Sequence, residues 1–309
     1  MTEEQTLLES FLNSLSDYGT YISVFSLILN LFHVLILTRK SMISSSINVL
    51  MTGIAVCDIF NMAEPTYGPL SFSYRIFERF FEITTGVARP LATWLAMTMA
   101  LFRLLIVRNA MNSSFESLST LRVGVISVLC NFFPFFIFQF ESFDYYSIYT
   151  IVTTFAQLIP AMILPFLAFL LIREIGKGRL ARRQLIRSQA SNAKPDNTTI
   201  VISTMTVVSM LAELPSGIHN FFFLYYTEFS RDTDMIEFLV LLQTPFKLLT
   251  AFNTMSHCLI SLAVSSQYQN AVVSLFPIVR KLKKPRNIIR VTPSGSSEGN
   301  MMTRVTNGS

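Results

Sequence analysis

Charge is what this sequence has least of. Asp, Glu, Lys and Arg make up 14% of its 309 residues, against about 25% in an ordinary soluble domain. A chain so poor in ions cannot cover a water-facing surface, so a soluble globular fold is excluded. Cysteine is nearly as scarce: Cys57, Cys130 and Cys258 all sit inside apolar blocks. An odd count in such places excludes a disulfide framework or a CxxC metal site. There is no HExxH, no GxSxG and no Walker loop, so the sequence points away from an enzyme. The run Gly176-Lys177-Gly178-Arg179-Leu180-Ala181 fits GxGxxA. It follows an apolar span instead of closing a strand, so it carries no nucleotide site. No internal repeat is evident, which argues against the paired halves of many transporters. Lys and Arg are absent from residues 1–17, so the chain does not open with the positive start of a signal peptide.

What is present is apolar sequence in long blocks. Hydrophobic residues make up 51% of the chain, and its 28 Phe outnumber Gly and Pro combined. Seven blocks are long enough to cross a ~30 Å hydrocarbon layer as helices, at about 18–38, 45–65, 83–107, 121–140, 149–172, 199–226 and 237–264. The fold expected is an all-α membrane protein, a seven-transmembrane helix bundle over residues 18–264. It is preceded by an extracellular segment, 1–17, and followed by a short amphipathic eighth helix at the membrane interface, 265–276. A basic, Ser/Thr-rich cytoplasmic tail, 277–309, completes it. Basic residues between the spans alternate sharply. One side has three, Arg75, Arg79 and Arg231, and the other has eighteen. That asymmetry puts the N-terminus outside and the C-terminus in the cytoplasm. It also disposes of the nucleic-acid reading that a net charge of +5 would otherwise invite, since the cations flank spans. Those from Arg280 to Arg290 suit anionic lipid headgroups.

The third block is the organising one. It carries Arg89, Trp94 and Arg103, and a charge at membrane depth costs at least about 2.5 kcal/mol, so it must face protein or water. The two arginines are ~21 Å apart along a helix and point within about 40° of the same side. One cation is therefore expected in an outer cavity and the other in an inner one. Arg179, Arg183 and Arg187 recur along one face of a cytoplasmic extension of the fifth span, as a headgroup-facing surface or a docking face.

The strings LTRKSM at 37–42, SSINVLMTGIAVCDIFN at 45–61, TWLAMTMALFRLLIVRN at 93–109, IPAMILPFLAFLLIREI at 159–175, ELP at 213–215 and FNTMSHCLISLAVSSQYQ at 252–269, with Leu29-Asn30, resemble one family. It is the nematode serpentine receptor class W chemoreceptors, rhodopsin-like G protein-coupled receptors similar to FMRFamide-type peptide receptors. The resemblance implies a plasma-membrane receptor whose partners are a heterotrimeric G protein and an extracellular peptide or small molecule, with a receptor kinase and arrestin acting on its tail. It implies no cofactor. It assigns Asn30 and Asp58 to the centre of a buried hydration or sodium pocket, with Asn253 and His257, four apart on one face, as donors to the carboxylate. It makes Arg103 the arginine released on activation, with Arg108 on the G-protein face beside Arg179, Arg183 and Arg187, and Pro215 the pivot of the sixth span.

There are departures from the family. Phe102 stands where an acid precedes the arginine, and Lys194-Pro195 where a glutamate would restrain it. Glu213 replaces the aromatic toggle, His257-Cys258 replaces Asn-Pro, and no cysteine pins the outer loop. In the outer half, Arg89, Trp94, Glu213, Lys247 and Tyr225 are the expected ligand contacts. Glu213 is expected to pair with Arg89 or Lys247, leaving the other cation for an acidic group such as a peptide carboxylate or a small organic acid. Two other functions compete. A retinal pigment would use Lys247 with Glu82, although that lysine is about one turn too far out. A transporter or channel would want more polar positions in spans four to six.

Overall fold

The computed structural model describes residues 3–67, 75–109, 113–141, 146–188 and 197–275. The basic cluster and phosphorylatable tail from 277 onward, and Lys194-Pro195, lie outside them. The helices are α1 Glu3–Leu37, α2 Ser46–Tyr67, α3 Arg75–Arg108, α4 Leu121–Glu141, α5 Tyr146–Ser188, α6 Asn197–Leu224, α7 Thr233–Val264 and α8 Ser266–Leu275. Six of them, α1 to α3 and α5 to α7, contain stretches long and apolar enough to cross a membrane. In α4 the apolar stretch among the described residues is Leu121–Ile137.

Two boundaries differ from the hydropathy reading. Helix α1 begins at Glu3 and α3 at Arg75, about four and about two turns before their apolar blocks. Hydropathy locates where a helix meets lipid, whereas backbone hydrogen bonding continues into polar sequence. Helix α5 runs on to Ser188, so Arg179, Arg183 and Arg187 lie on its polar extension; their side chains are outside the described part.

Helices α1, α2, α3, α5, α6 and α7 pack in that order, with α7 closing back on α1, while α3 also touches α4 and α6. Helix α3 is thus the central element, and α4 lies outside against α2 and α3. The burial pattern is the reverse of a soluble protein. Phe166 and Phe169 are more than 60% exposed, whereas Ser26, Asn30, Thr254 and Ser261 are buried almost completely. Apolar groups turned outward and polar groups turned inward are stable only where the surroundings are hydrocarbon.

The end where α1 finishes and α2 starts is tightly tied. Ser46 Oγ donates to the carbonyl of Leu118 at 2.6 Å, Asn48 Nδ2 to that of Met42 at 2.7 Å, and Gln267 Nε2 to that of Ser41 at 2.6 Å. Gly124 of α4 comes so close to α2 that an added Cβ would sit 2.8 Å from Ser46 Cα. Only glycine permits that approach. At the other end, α6 passes into a π-helical turn, Tyr225–Ser230, closed by Arg231 at φ 54°. The Asp232 side chain then accepts from the backbone of Asp234 and Met235 to start α7.

Candidate ligand cavity and buried polar belt

A cavity of about 330 Å³ opens among α1, α2, α3, α5, α6 and α7 at the end where α1 starts. Arg89, Gln157, Asn220 and Lys247 are among its lining residues, with hydroxyls from Thr153, Thr154 and Thr250. Among the described residues no lining residue is acidic. Asn220 Nδ2 donates to Gln157 Oε1 at 2.8 Å. Gln157 is 5% exposed, and its Nε2 has no hydrogen-bond partner.

Two of the five expected contacts, Arg89 and Lys247, line this cavity, and three do not. The Trp94 indole donates to the carbonyl of Ala156 at 2.7 Å, and its ring leans on Phe135, so it wedges α3 between α4 and α5. Tyr225 belongs to the π-helical turn, about half exposed, against Tyr226 and Phe229. Glu213 makes neither expected ion pair. It accepts long bonds from Asn253 Nδ2 at 3.4 Å and Thr93 Oγ1 at 3.5 Å. Arg89 stays within Coulombic reach but beyond salt-bridge distance. Among the described residues both cavity cations are therefore left without a carboxylate partner, where the sequence reading left one.

Beyond Glu213 runs a buried polar belt. His257 Nδ1 lies 3.5 Å from Asp58 Oδ2, and its Nε2 is 3.2 Å from Ser209 Oγ, so one imidazole touches α2, α6 and α7. Of the two donors expected for Asp58, His257 is adjacent, while Asn253 turns to Glu213 instead. Ser26 and Thr254 hydroxyls meet at 2.5 Å, and Asn30 Nδ2 donates back to the Ser26 carbonyl at 3.0 Å. His33 Nδ1 and the Tyr268 hydroxyl are 2.8 Å apart, with Cys258 Sγ 3.5 Å from the same hydroxyl, joining α1, α7 and α8. Asn30 Oδ1, Asp58 Oδ2 and Asn253 Oδ1 are buried oxygens without a hydrogen-bond partner.

Sequence reasoning missed Gln157, Asn220, His33 and Tyr268. A signal existed for two groups. Thr153, Thr154 and Gln157 on α5, and Ser26, Asn30 and His33 on α1, recur at helical spacing inside apolar blocks, the mark of a polar interior face. Past the belt, Arg103 is buried, 8% exposed, with Ala100 and Leu104 of α3 packed on Leu164 and Leu167 of α5 nearby. Arg108 is exposed in the last turn of α3.

An apolar exterior, a polar interior and a cavity at one end define a multi-pass helical membrane protein. A family model described as serpentine type 7TM GPCR chemoreceptor Srw matches residues 17–154 and 137–279. No curated protein matches the chain. The matched segments span most of the sequence, and the chain belongs to the serpentine type 7TM GPCR chemoreceptor Srw family.

Proposed function

We propose that this chain is a plasma-membrane receptor that binds an extracellular ligand in the 330 Å³ cavity and activates a heterotrimeric G protein at the opposite end. The observation that carries the reading is that one helix, α3, presents Arg89 to the cavity and buries Arg103 toward the other end. Between them lies a belt of polar side chains with alternative pairings. A ligand acts on such a bundle only through different affinities for its two arrangements. The belt supplies an element capable of both, because Glu213, Asn253, Asp58 and His257 can exchange partners without crossing an apolar barrier.

The orphaned oxygens of Asn30, Asp58 and Asn253 are hard donors of the kind that hold water or a sodium ion. Asp58 would supply the counter-charge and so bias the resting arrangement. Orientation follows from the basic residues, with the cavity outside and Arg108 and the α5 extension inside. The Ser/Thr-rich tail is the part a receptor kinase and arrestin would read. The polar lining disfavours the retinal reading, since a polyene needs an apolar slot.

The test is expression in cultured cells with a promiscuous G protein, screened against amidated peptides and small organic acids. A tag at residue 1 should be reached by an impermeant reagent in intact cells, and a tag at residue 309 should not. A ligand response that survives loss of all G proteins, or both tags on one side, would overturn the proposal.

A further inference from the structure

The cavity's chemistry narrows the ligand. Arg89 and Lys247 both line it, and among the described residues neither has a carboxylate within ion-pair distance and no lining residue is acidic. Two cations sharing one recess repel each other. Glu213, the acid expected to pair with one of them, is engaged by Asn253 and Thr93. A third donor is built in more rigidly. Gln157 is nine-tenths buried on α5, its Oε1 fixed by Asn220 of α6, and its Nε2 has no partner. An unpaired buried donor is expensive and invites an acceptor. The site thus offers two cations, an amide N–H and several hydroxyls, with no fixed negative charge among its described lining residues. Its volume, 330 Å³, falls at the small end of the roughly 300–1,000 Å³ range of small-ligand pockets.

We propose that the cavity binds a small organic acid as its anion, the carboxylate received by Arg89 and Lys247 and oriented by the Gln157 amide. Binding itself is independent of signalling, but its role as the activating step rests on the receptor reading above. The acid fits because charge-assisted bonds to an oxyanion are the strongest this donor set can form.

The experiment uses the full chain purified into nanodiscs, with butyrate, benzoate and indole-3-acetate as probes, each beside its primary amide. Thermal unfolding is read with and without millimolar probe. At least one carboxylate should raise the midpoint, while its amide leaves it unmoved. Lys247→Gln should weaken that stabilisation about tenfold or more, as should Arg89→Gln. If Arg89→Gln does not fold, Lys247→Gln decides alone, because its side chain is exposed to the cavity. Gln157→Glu should abolish binding by setting a like charge against the anion. Three results would overturn the proposal: no carboxylate shifts the wild type, the amides match the acids, or the probes bind Lys247→Gln and Gln157→Glu as well as wild type. Carboxylate binding without any G protein response would leave this site standing and remove the receptor reading. A peptide response that survives both substitutions would do the reverse.

Discussion

Arg89 and Arg103 occupy the same helix, and their surroundings differ. Around Arg89 the bundle is open, with hydroxyls, amides and a second cation lining a cavity. Toward Arg103 it is closed, with Ala100, Leu104, Leu164 and Leu167 buried against one another. The ends of the bundle differ in the same sense. At the far end Ser46, Asn48 and Gln267 bond to neighbouring backbone carbonyls, and Gly124 lets α4 rest on α2. At the cavity end both cations lack ion partners among the described residues. Among the described residues the close backbone ties thus lie away from the cavity, and the cavity's cations face its open space. Groups that would be costly if buried unpaired remain tolerable where water or ligand reaches them.

The sharpest way to break this contrast is to overfill the tight end. Gly124→Val should place carbon atoms into the α2 backbone at Ser46, costing about 3 kcal/mol or more, and should reduce folded protein at the cell surface severely. Thr250→Val, a nearly isosteric change in the cavity lining, should leave the surface level near wild type. Quantitative surface labelling compares the two, and equal yields would mean that the ends are equally tolerant. Next in size is a crossing of phenotypes along α3. Arg103→Gln should abolish G protein activation while leaving carboxylate stabilisation of the purified chain intact. Arg89→Gln should shift ligand potency about tenfold or more and leave the maximal response attainable. Dose–response curves beside thermal shifts separate the two, and matching defects in both assays would dissolve the distinction.

That contrast was partly legible in the sequence. The central place of α3 followed from two arginines no lipid-facing helix could carry, and α3 does touch α2, α4, α5 and α6. Arg89 and Lys247 reach the expected cavity because depth along a span is read directly from residue count. Partner choice was not legible. Asn253 and His257 share a face of α7, yet one turns to Glu213 and the other to Asp58, since helix rotation and crossing set which neighbour each meets. Tyr225, expected as a ligand contact, is not among the cavity's lining residues for a local reason. A 3.6-residue period carried on from α6 fails where the backbone enters a π-helical turn, because each residue there advances by a smaller angle. Gln157 was passed over although Thr153 and Thr154 share its face of α5, because its partner Asn220 lies across the bundle on α6.

The smallest effect expected concerns the joint between α1, α7 and α8. The Tyr268 hydroxyl sits 2.8 Å from His33 Nδ1 and 3.5 Å from Cys258 Sγ, and its ring leans on that of His33. Tyr268→Phe keeps the ring and removes one hydroxyl, so the packing of α8 should persist and the loss should be about 1 kcal/mol. His33 Nε2 is already without a partner, so the substitution leaves the imidazole with neither ring nitrogen bonded. The imidazole is therefore the group that suffers. If that is the cause, His33→Leu placed on top of Tyr268→Phe should restore most of the stability, because an apolar pair of similar shape leaves nothing unsatisfied. Thermal unfolding of the two single variants and the double completes a cycle whose coupling measures the bond. Additive losses would show that the joint is held by shape alone, and that the tight end owes its firmness to packing more than to its polar contacts.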